Sequence, residues 1–297
     1  MTTPSADFAT RRRLRDRLLE VLDRIEPLLP PAQASIDWSR DIAALWQRHS
    51  TGGGQLVPVT PRDDVRFDGL LGIERQKNAL LSNTQAFLAG LPANHALMWG
   101  ARGTGKSSIV RALINELSGE GLRLIQVDRY DLIGLPVLVA RLRDEPYRFI
   151  VYCDDLSFEG SDDAYKALKS VLDGTLTGPP DNVLIYATSN RRHLLPESGK
   201  DNEDTHIVNG ELHHGDAVEE KVSLSDRFGL WLAFHPFDQQ HFLNVCEHWV
   251  AHLGGTWSDE AAEEAHRYAL LRGVRNGRAA WQFACQWVGQ QGATSVK

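Results

Sequence analysis

Cysteine is scarce in this chain: Cys153, Cys246 and Cys285 are the only three in 297 residues. Their wide separation fits neither a disulfide framework nor zinc spacing, so reduced and mostly buried thiols are expected. Long apolar runs are also missing. Nothing approaches the ~18 residues that cross a bilayer, which argues against a membrane role. Arg11, Arg12 and Arg13 are followed by no continuous apolar stretch, as a secretory leader would require. Asp16, Glu20, Asp23 and Glu26 make the same region too acidic for a transit peptide. The expected location is therefore the cytoplasm. Basic charge is in deficit: 32 Lys and Arg face 39 Asp and Glu, for a formal net charge of −7. Bulk coating of nucleic acid, which needs clustered cations, is disfavoured. A local basic patch at Arg11 to Arg17 stays open. There is no internal repeat and no low-complexity block.

What is present suits a core domain with a smaller companion. Hydrophobic residues make up 42% of the chain and charged residues 24%, as in ordinary globular proteins. Leu14, Leu18, Leu22, Ile25 and Leu29 recur at helical spacing, which predicts an amphipathic helix over 11–29 ended by Pro27, Pro30 and Pro31. Trp38, Ile42, Leu45 and Trp46 suggest a second short helix over 37–49, before the glycine-rich break at Gly52 to Gly54. Residues 1–60 thus read as an N-terminal helical extension.

From Leu70 onward, short apolar runs alternate with helical patterns. Strands are expected at His95–Trp99, Leu122–Val127, Phe149–Cys153, Val183–Thr188 and Leu230–Phe234. Helices are expected at Lys106–Leu117, Leu132–Leu142 and Asp163–Leu172. Such alternation predicts an α/β core over 61–236, with a parallel sheet covered on both faces. After Pro236, three helices at 239–253, 258–271 and 277–287 predict a small helical domain over 237–297. Ser258 stands as N-cap of the second, with Asp259 and Glu260 in its first turn.

Gly100-Ala101-Arg102-Gly103-Thr104-Gly105-Lys106-Ser107 matches G-x-x-x-x-G-K-[ST] in full, between a strand and a helix, with Ser108 in the same first turn. The glycines allow backbone N–H groups to form an anion nest. The helix N-terminus adds partial positive charge. The pattern points to ATP, with Lys106 on the β- and γ-phosphates and Ser107 on Mg²⁺. The strand Phe149-Ile150-Val151-Tyr152-Cys153 ends in Asp154 and Asp155. Asp154 is a candidate Mg²⁺ carboxylate. Asp155 stands where water is activated, or else caps the turn; Glu159 is an alternative. At the tip of the next strand, Asn190 is either a γ-phosphate contact or a turn former. Arg227, before the last strand, is either a finger for a neighbouring subunit's nucleotide or a surface partner of Asp226. Arg278 sits at a helix start, where the dipole disfavours a cation, and so is either a phosphate contact or a solvated arginine.

These segments (GARGTGKS, FIVYCDD, ATSN, SDRFG and NGRAA) resemble the AAA+ ATPases and occur in that family's order. CDDLSFE, YATSNRRHL and EEKVSLSDRFGLW look like an uncharacterised, domain-of-unknown-function group of bacterial AAA+ ATP-binding proteins. The likeness runs from about Ile36 to Gln286. It implies a five-stranded sheet of order 5-1-4-3-2 with a helical lid. It also implies Asp154 on magnesium, Asn190 as first sensor, Arg227 as finger and Arg278 as second sensor. Leu71 and Gly72, within Leu70–Ile73, would pack around the adenine. Asp155 departs from the family's usual glutamate. It is shorter by about 1.3 Å of reach, which makes turnover uncertain while ATP binding is expected.

The stretch 191–222 is long and polar, and is either a reporter of nucleotide state or a solvated insertion. His213, His214, His248 and His252 lack the acidic or cysteine partners of a metal site. Trp231, Trp249, Trp257, Trp281 and Trp287 read as packing residues. Leu132-Ile133-Gly134-Leu135 is a poor match to a threading pore loop. The resulting expectation is an ATPase that works as a homo-oligomer on an unknown protein or nucleic-acid client. A non-hydrolysing ATP switch is the alternative, and a small-molecule kinase is disfavoured.

Overall fold

Short runs of Val, Ile, Leu and Tyr that are apolar on both faces can only be satisfied in the middle of a covered sheet. The chain uses them in that way in the computed structural model. It describes residues 14–15, 17–21, 36–49, 53–61, 65–158, 163–174, 180–190, 206–208, 211–213 and 224–295. Met1–Ser35 and Ile36–Lys297 are separate compact units. Of the helix expected over 11–29, residues 14, 15 and 17–21 are described, and they are helical.

The second unit begins with β1 (Ala43–Arg48) and β2 (Gly54–Val59), then α1 (Glu74–Leu88), β3 (Ala96–Gly100) and α2 (Lys106–Leu117). It continues with β4 (Leu122–Val127), a 3-10 turn at Arg129–Gly134, α3 (Leu135–Leu142), β5 (Arg148–Cys153), α4 (Asp163–Asp173) and β6 (Val183–Ser189). A short antiparallel pair, β7 (His206–Val208) and β8 (Glu211–His213), precedes β9 (Leu230–Phe234). Three helices close the chain: α5 (Gln239–His252), α6 (Asp259–Arg272) and α7 (Gly277–Ser295).

The main sheet has seven strands in the order β2-β1-β4-β5-β6-β3-β9. This corrects the expectation of a five-stranded sheet. β1 runs parallel to β4, and β2 returns antiparallel at the edge. The helix expected over 37–49 is therefore a turn followed by β1. Trp38, Ile42, Leu45 and Trp46 imitate helical spacing, but Ala43, Ala44 and Trp46 are all buried because the strand lies between two others. Pro58, which lacks an N–H, is accommodated because β2 is an edge. Residues 36–59 belong to the sheet and do not form a helical extension. Helix α1 was not foreseen: it is polar, with only Leu80, Thr84 and Phe87 buried, at spacings of four and three.

Two apolar layers cover the sheet. One gathers Trp46, Leu97, Phe149, Val151, Ile185 and Phe228. The other gathers Leu80, Met98, Ile109, Leu113, Ile150 and Tyr186. Phe242, Val245, Val250, Ala265, Ala280 and Phe283 form a third core inside α5–α7, joined by Trp249, Trp257 and Trp287. Ser258 caps α6 through Ala261 N–H, as its sequence position implies. Cys153 and Cys246 are buried free thiols, while Cys285 is exposed.

His95 stitches β3 to β6: its Nδ1 accepts Ile185 N–H at 3.0 Å. That bond requires the neutral ring, and burial lowers its pKa to about 4. Because the folded value lies below the unfolded one, the protonated unfolded chain gains on the folded one as pH falls from about 6.5 to 4. Urea unfolding across that window should show the wild type losing roughly 2–3 kcal/mol more than His95→Gln.

Candidate nucleotide site

β1, β4, β5, β6, β3 and β9 run parallel, so their C-terminal ends share the sheet edge that carries the acids after β5 and the glycine loop after β3, the edge where open α/β sheets place ligands. The loop between β3 and α2 turns through Gly100 (φ 136°), Gly103 (φ 77°) and Gly105 (φ 104°), angles that L side chains rarely adopt. Space forbids other residues as well. A Cβ on Gly100 would run into the Phe234 carbonyl, and one on Gly103 would meet Asn276 at 2.9 Å. Gly105 is the N-cap of α2, so the first free N–H groups of that helix face the loop. Thr104 tightens the turn through a 2.8 Å bond from its hydroxyl to the Ala101 carbonyl.

Lys106 is 7% exposed. Its ammonium donates to the carbonyls of Gly100 (2.7 Å) and Ala101 (2.8 Å) and to Asn190 Oδ1 (3.3 Å). Burial pulls its pKa down, against the opposing pull of Asp154 and Asp155. Ser107 donates to Asp154 Oδ1 at 3.0 Å, with Ser108 half-buried beside it on α2. The same oxygen of Asp154 accepts the Tyr152 hydroxyl at 2.7 Å and the Thr188 hydroxyl at 2.5 Å. Burial alone would raise this carboxyl's pKa. The bonds from Thr188, Tyr152 and Ser107 outweigh that, and the pKa lies below the ordinary range.

Asp155 is the only non-glycine with positive φ (51°) among the described residues. Its carboxylate accepts the Asn190 side-chain amide and pairs with Arg102 at 3.5 Å. Asn190 therefore bridges Lys106 and Asp155. Glu159 and most of 191–222 lie outside the described residues.

The helical domain closes one side of the loop. Asn276 caps α7 by accepting Ala279 N–H at 2.8 Å, and its amide donates to the Arg102 carbonyl at 2.9 Å. Arg278 N–H donates to the Gly103 carbonyl at 3.2 Å, and its charge is close enough to depress the pKa of Lys106. Phe237 N–H to the Arg275 carbonyl (2.9 Å) ties the end of the core to the same segment. A cleft of about 500 Å³ opens here, lined by Ala101, Arg102, Phe237, Leu270, Val274 and Asn276 among others. Leu71 packs on the third core. Gly72 (φ 76°) faces His241 and Phe237.

Lys106, Ser107, Asp154, Asp155, Asn190 and Arg278 thus surround one loop. Arg227 does not join them: it bonds Asp173 at the end of α4. Thr188, Tyr152 and Asn276 were missed by sequence reasoning. Asn276 carried a signal, since asparagine directly before a helix is a favoured cap. Thr188 and Tyr152 carried none, because their role is contact with residues on the same or a neighbouring strand tip.

Ser107 and Asp154 offer a hydroxyl and a carboxylate as hard oxygen donors. That sparse set suits Mg²⁺, which keeps waters and takes phosphate oxygens. Among the described residues no group of three or more His, Cys, Asp or Glu could cage a metal by protein alone.

The left-handed backbone at Asp155 makes a clear stability prediction. Asp155→Asn should stay within about 0.5 kcal/mol of wild type, while β-branched Asp155→Val should cost about 1–2 kcal/mol in thermal or urea unfolding. Equal stability of the two variants would refute the strained turn.

Residues 39–291 match the family described as "Protein of unknown function (DUF815)". No functionally curated protein matches the chain. Among solved structures, the FIGL-1 AAA domain in complex with ADP is similar at 15% identity and TM-score 0.50, over 75% of this chain and 72% of that one. Thermotoga maritima RuvB, a Holliday junction branch migration motor, is similar at 16% identity and TM-score 0.46. That match covers 74% of this chain, which spans only 63% of the RuvB chain. A DNA replication initiation factor gives 16% identity and TM-score 0.47 over 73% and 62% of the two chains. The chain belongs to the DUF815 family, and its second unit has the fold of an AAA+ P-loop domain.

Proposed function

We propose that this protein binds ATP with Mg²⁺, hydrolyses it, and couples the cycle to remodelling of a macromolecular client. One observation carries the reading: a complete glycine loop whose lysine, serine, two strand-tip acids, strand-tip amide and lid arginine converge around it. On this reading Lys106 exchanges the loop carbonyls for β- and γ-phosphate oxygens. Ser107 and Asp154 would hold Mg²⁺, which would supply positive charge against the phosphates. Asp155 orients the attacking water, and Asn190 senses the γ-phosphate between Asp155 and Lys106. Arg278 contributes charge from the lid. The cleft beside Phe237, with Leu71 and Gly72 nearby, takes the adenine and ribose.

Arg227 is the proposed finger. Acting on a neighbour's nucleotide, it implies a homo-oligomer, and its bond to Asp173 must then open. The client, protein or nucleic acid, is met in the cytoplasm on this proposal. No helix among the described residues is long and apolar enough to cross a membrane.

A second reading, an ATP-dependent switch with slow or no turnover, is favoured by one feature. Asp155, already shorter than glutamate, is engaged on both sides by Arg102 and Asn190. Turnover decides between the two. Lys106→Ala should weaken ATP binding by two orders of magnitude or more, because it removes a buried charge aimed at phosphate. Mg²⁺-dependent phosphate release per subunit should rise with protein concentration and fall on the order of 10³-fold in Arg227→Ala. Tight ATP binding with background turnover at every concentration would leave the switch. Wild-type ATP affinity in Lys106→Ala would refute both.

A further inference from the structure

Besides the contact between Asn190 and Asp155, four hydrogen bonds from Thr188 and Ser189 fasten the turn that carries the two acids to the tip of β6. Leu156 N–H donates to the Thr188 carbonyl (2.7 Å), and the Ser189 hydroxyl donates to the Leu156 carbonyl (2.9 Å). The other two pass through the Thr188 hydroxyl. It accepts Asp155 N–H at 2.8 Å and donates to Asp154 Oδ1 at 2.5 Å. Thr188 and Ser189 are each 1% exposed. A hydroxyl has a single proton. Since Asp154 is an acceptor, that proton goes to Asp154, and a lone pair is left for the Asp155 amide. Both directions are therefore determined, and water does not compete at so buried a group.

The consequence falls on both acids at once. The bond to Asp155 N–H holds the backbone at its positive φ, a conformation that non-glycine residues otherwise avoid. With the backbone held so, the Asp155 side chain meets Asn190 and Arg102. The bond to Asp154 faces one carboxylate oxygen toward Ser107. We infer that Thr188 is a positioning residue: its buried hydroxyl registers Asp154, the proposed magnesium ligand, against Asp155, the proposed water-orienting acid. Its place two residues before Asn190 on the same strand end puts it beside the amide that contacts Asp155 directly, while its own hydroxyl is bonded to both acids. This rests on the nucleotide reading above and adds a residue to it.

A plain structural role, in which the methyl group fills space and the hydroxyl only satisfies a buried amide, makes different predictions. The test uses the full chain with Thr188→Val, which keeps the shape and removes the hydroxyl, and Thr188→Ser, which does the reverse. Affinities for fluorescent ATP and ADP analogues are titrated with EDTA and with Mg²⁺, and steady-state hydrolysis is measured beside them. In EDTA, Thr188→Val should bind ADP within about two-fold of wild type, since the glycine loop is untouched. The gain in ATP affinity on adding Mg²⁺ should fall on the order of ten-fold, as should kcat, with KM moving less. Thr188→Ser should restore both.

A valine chain that matches wild type in both readouts overturns the inference. So does a serine chain as impaired as the valine one. If thermal melting shows that the valine chain does not fold, Thr188→Cys, similar in size and weak as a hydrogen-bonding group, replaces it with the same expectations. A wild type that binds ATP without turnover leaves the Mg²⁺-dependent affinity to decide alone. A wild type that binds no ATP overturns the nucleotide reading itself, and this inference with it.

Discussion

The conformation of the loop from Gly100 to Gly105 is the constraint on which the rest of the site depends. It is enclosed by three elements: the Phe234 carbonyl of β9, the N-terminus of α7, and Ile73, which would contact a Cβ on Gly105 at 3.1 Å. Each of the three glycines has both a positive φ and a neighbour in the place of its missing side chain. The loop therefore records the packing of elements far apart in sequence. If β9 or the helical domain were displaced, the curvature of the loop, and with it the direction of its N–H groups, would lose its support.

The same geometry explains why the helical domain is more than a cover. Asn276 joins two requirements in one side chain. Its oxygen caps α7, and its amide holds the carbonyl of Arg102. A cap alone contributes about 1 kcal/mol to a helix. Here it also aims the positive end of a long helix at the loop. The cleft is lined by Arg102 of the loop and Val274 of the helical segment together, so its shape depends on how the helices pack against the loop.

Much of this was legible in the sequence, for identifiable reasons. β5 and β9 carry continuous apolar runs of strand length and β4 and β6 are dominated by Leu, Ile and Val, and the helix over Lys106–Leu117 has its expected bounds because the glycine before it and the apolar face after it are both local signals. β1 was misread because its burial on both sides puts Trp and Ala at positions where alternation, the usual sign of a strand, disappears. α1 passed unseen because so little of it is buried. The strand-tip acids could be found because they follow directly on apolar strands. Thr188, which touches them from another strand, could not, since pairing of β5 with β6 brings together residues more than thirty positions apart.

The charges around the loop suggest why such a site is built with redundancy. Lys106, Arg102 and Arg278 stand against Asp154 and Asp155, an excess of one positive charge over two acids that are themselves hydrogen-bonded. A buried cation is costly when unpaired. Lys106 meets that cost with two carbonyl oxygens and one amide oxygen, all neutral. Neutral acceptors hold an ammonium less strongly than anionic ones do. A polyanion entering the loop would therefore gain the lysine at little loss, while Arg102 could leave Asp155 for a phosphate only by breaking a largely exposed ion pair, which is worth little. On the proposed reading the arrangement is asymmetric by design of its environments. The buried lysine is held ready by weak neutral partners, and the acid beside it is held by an exposed arginine that a phosphate competes for directly.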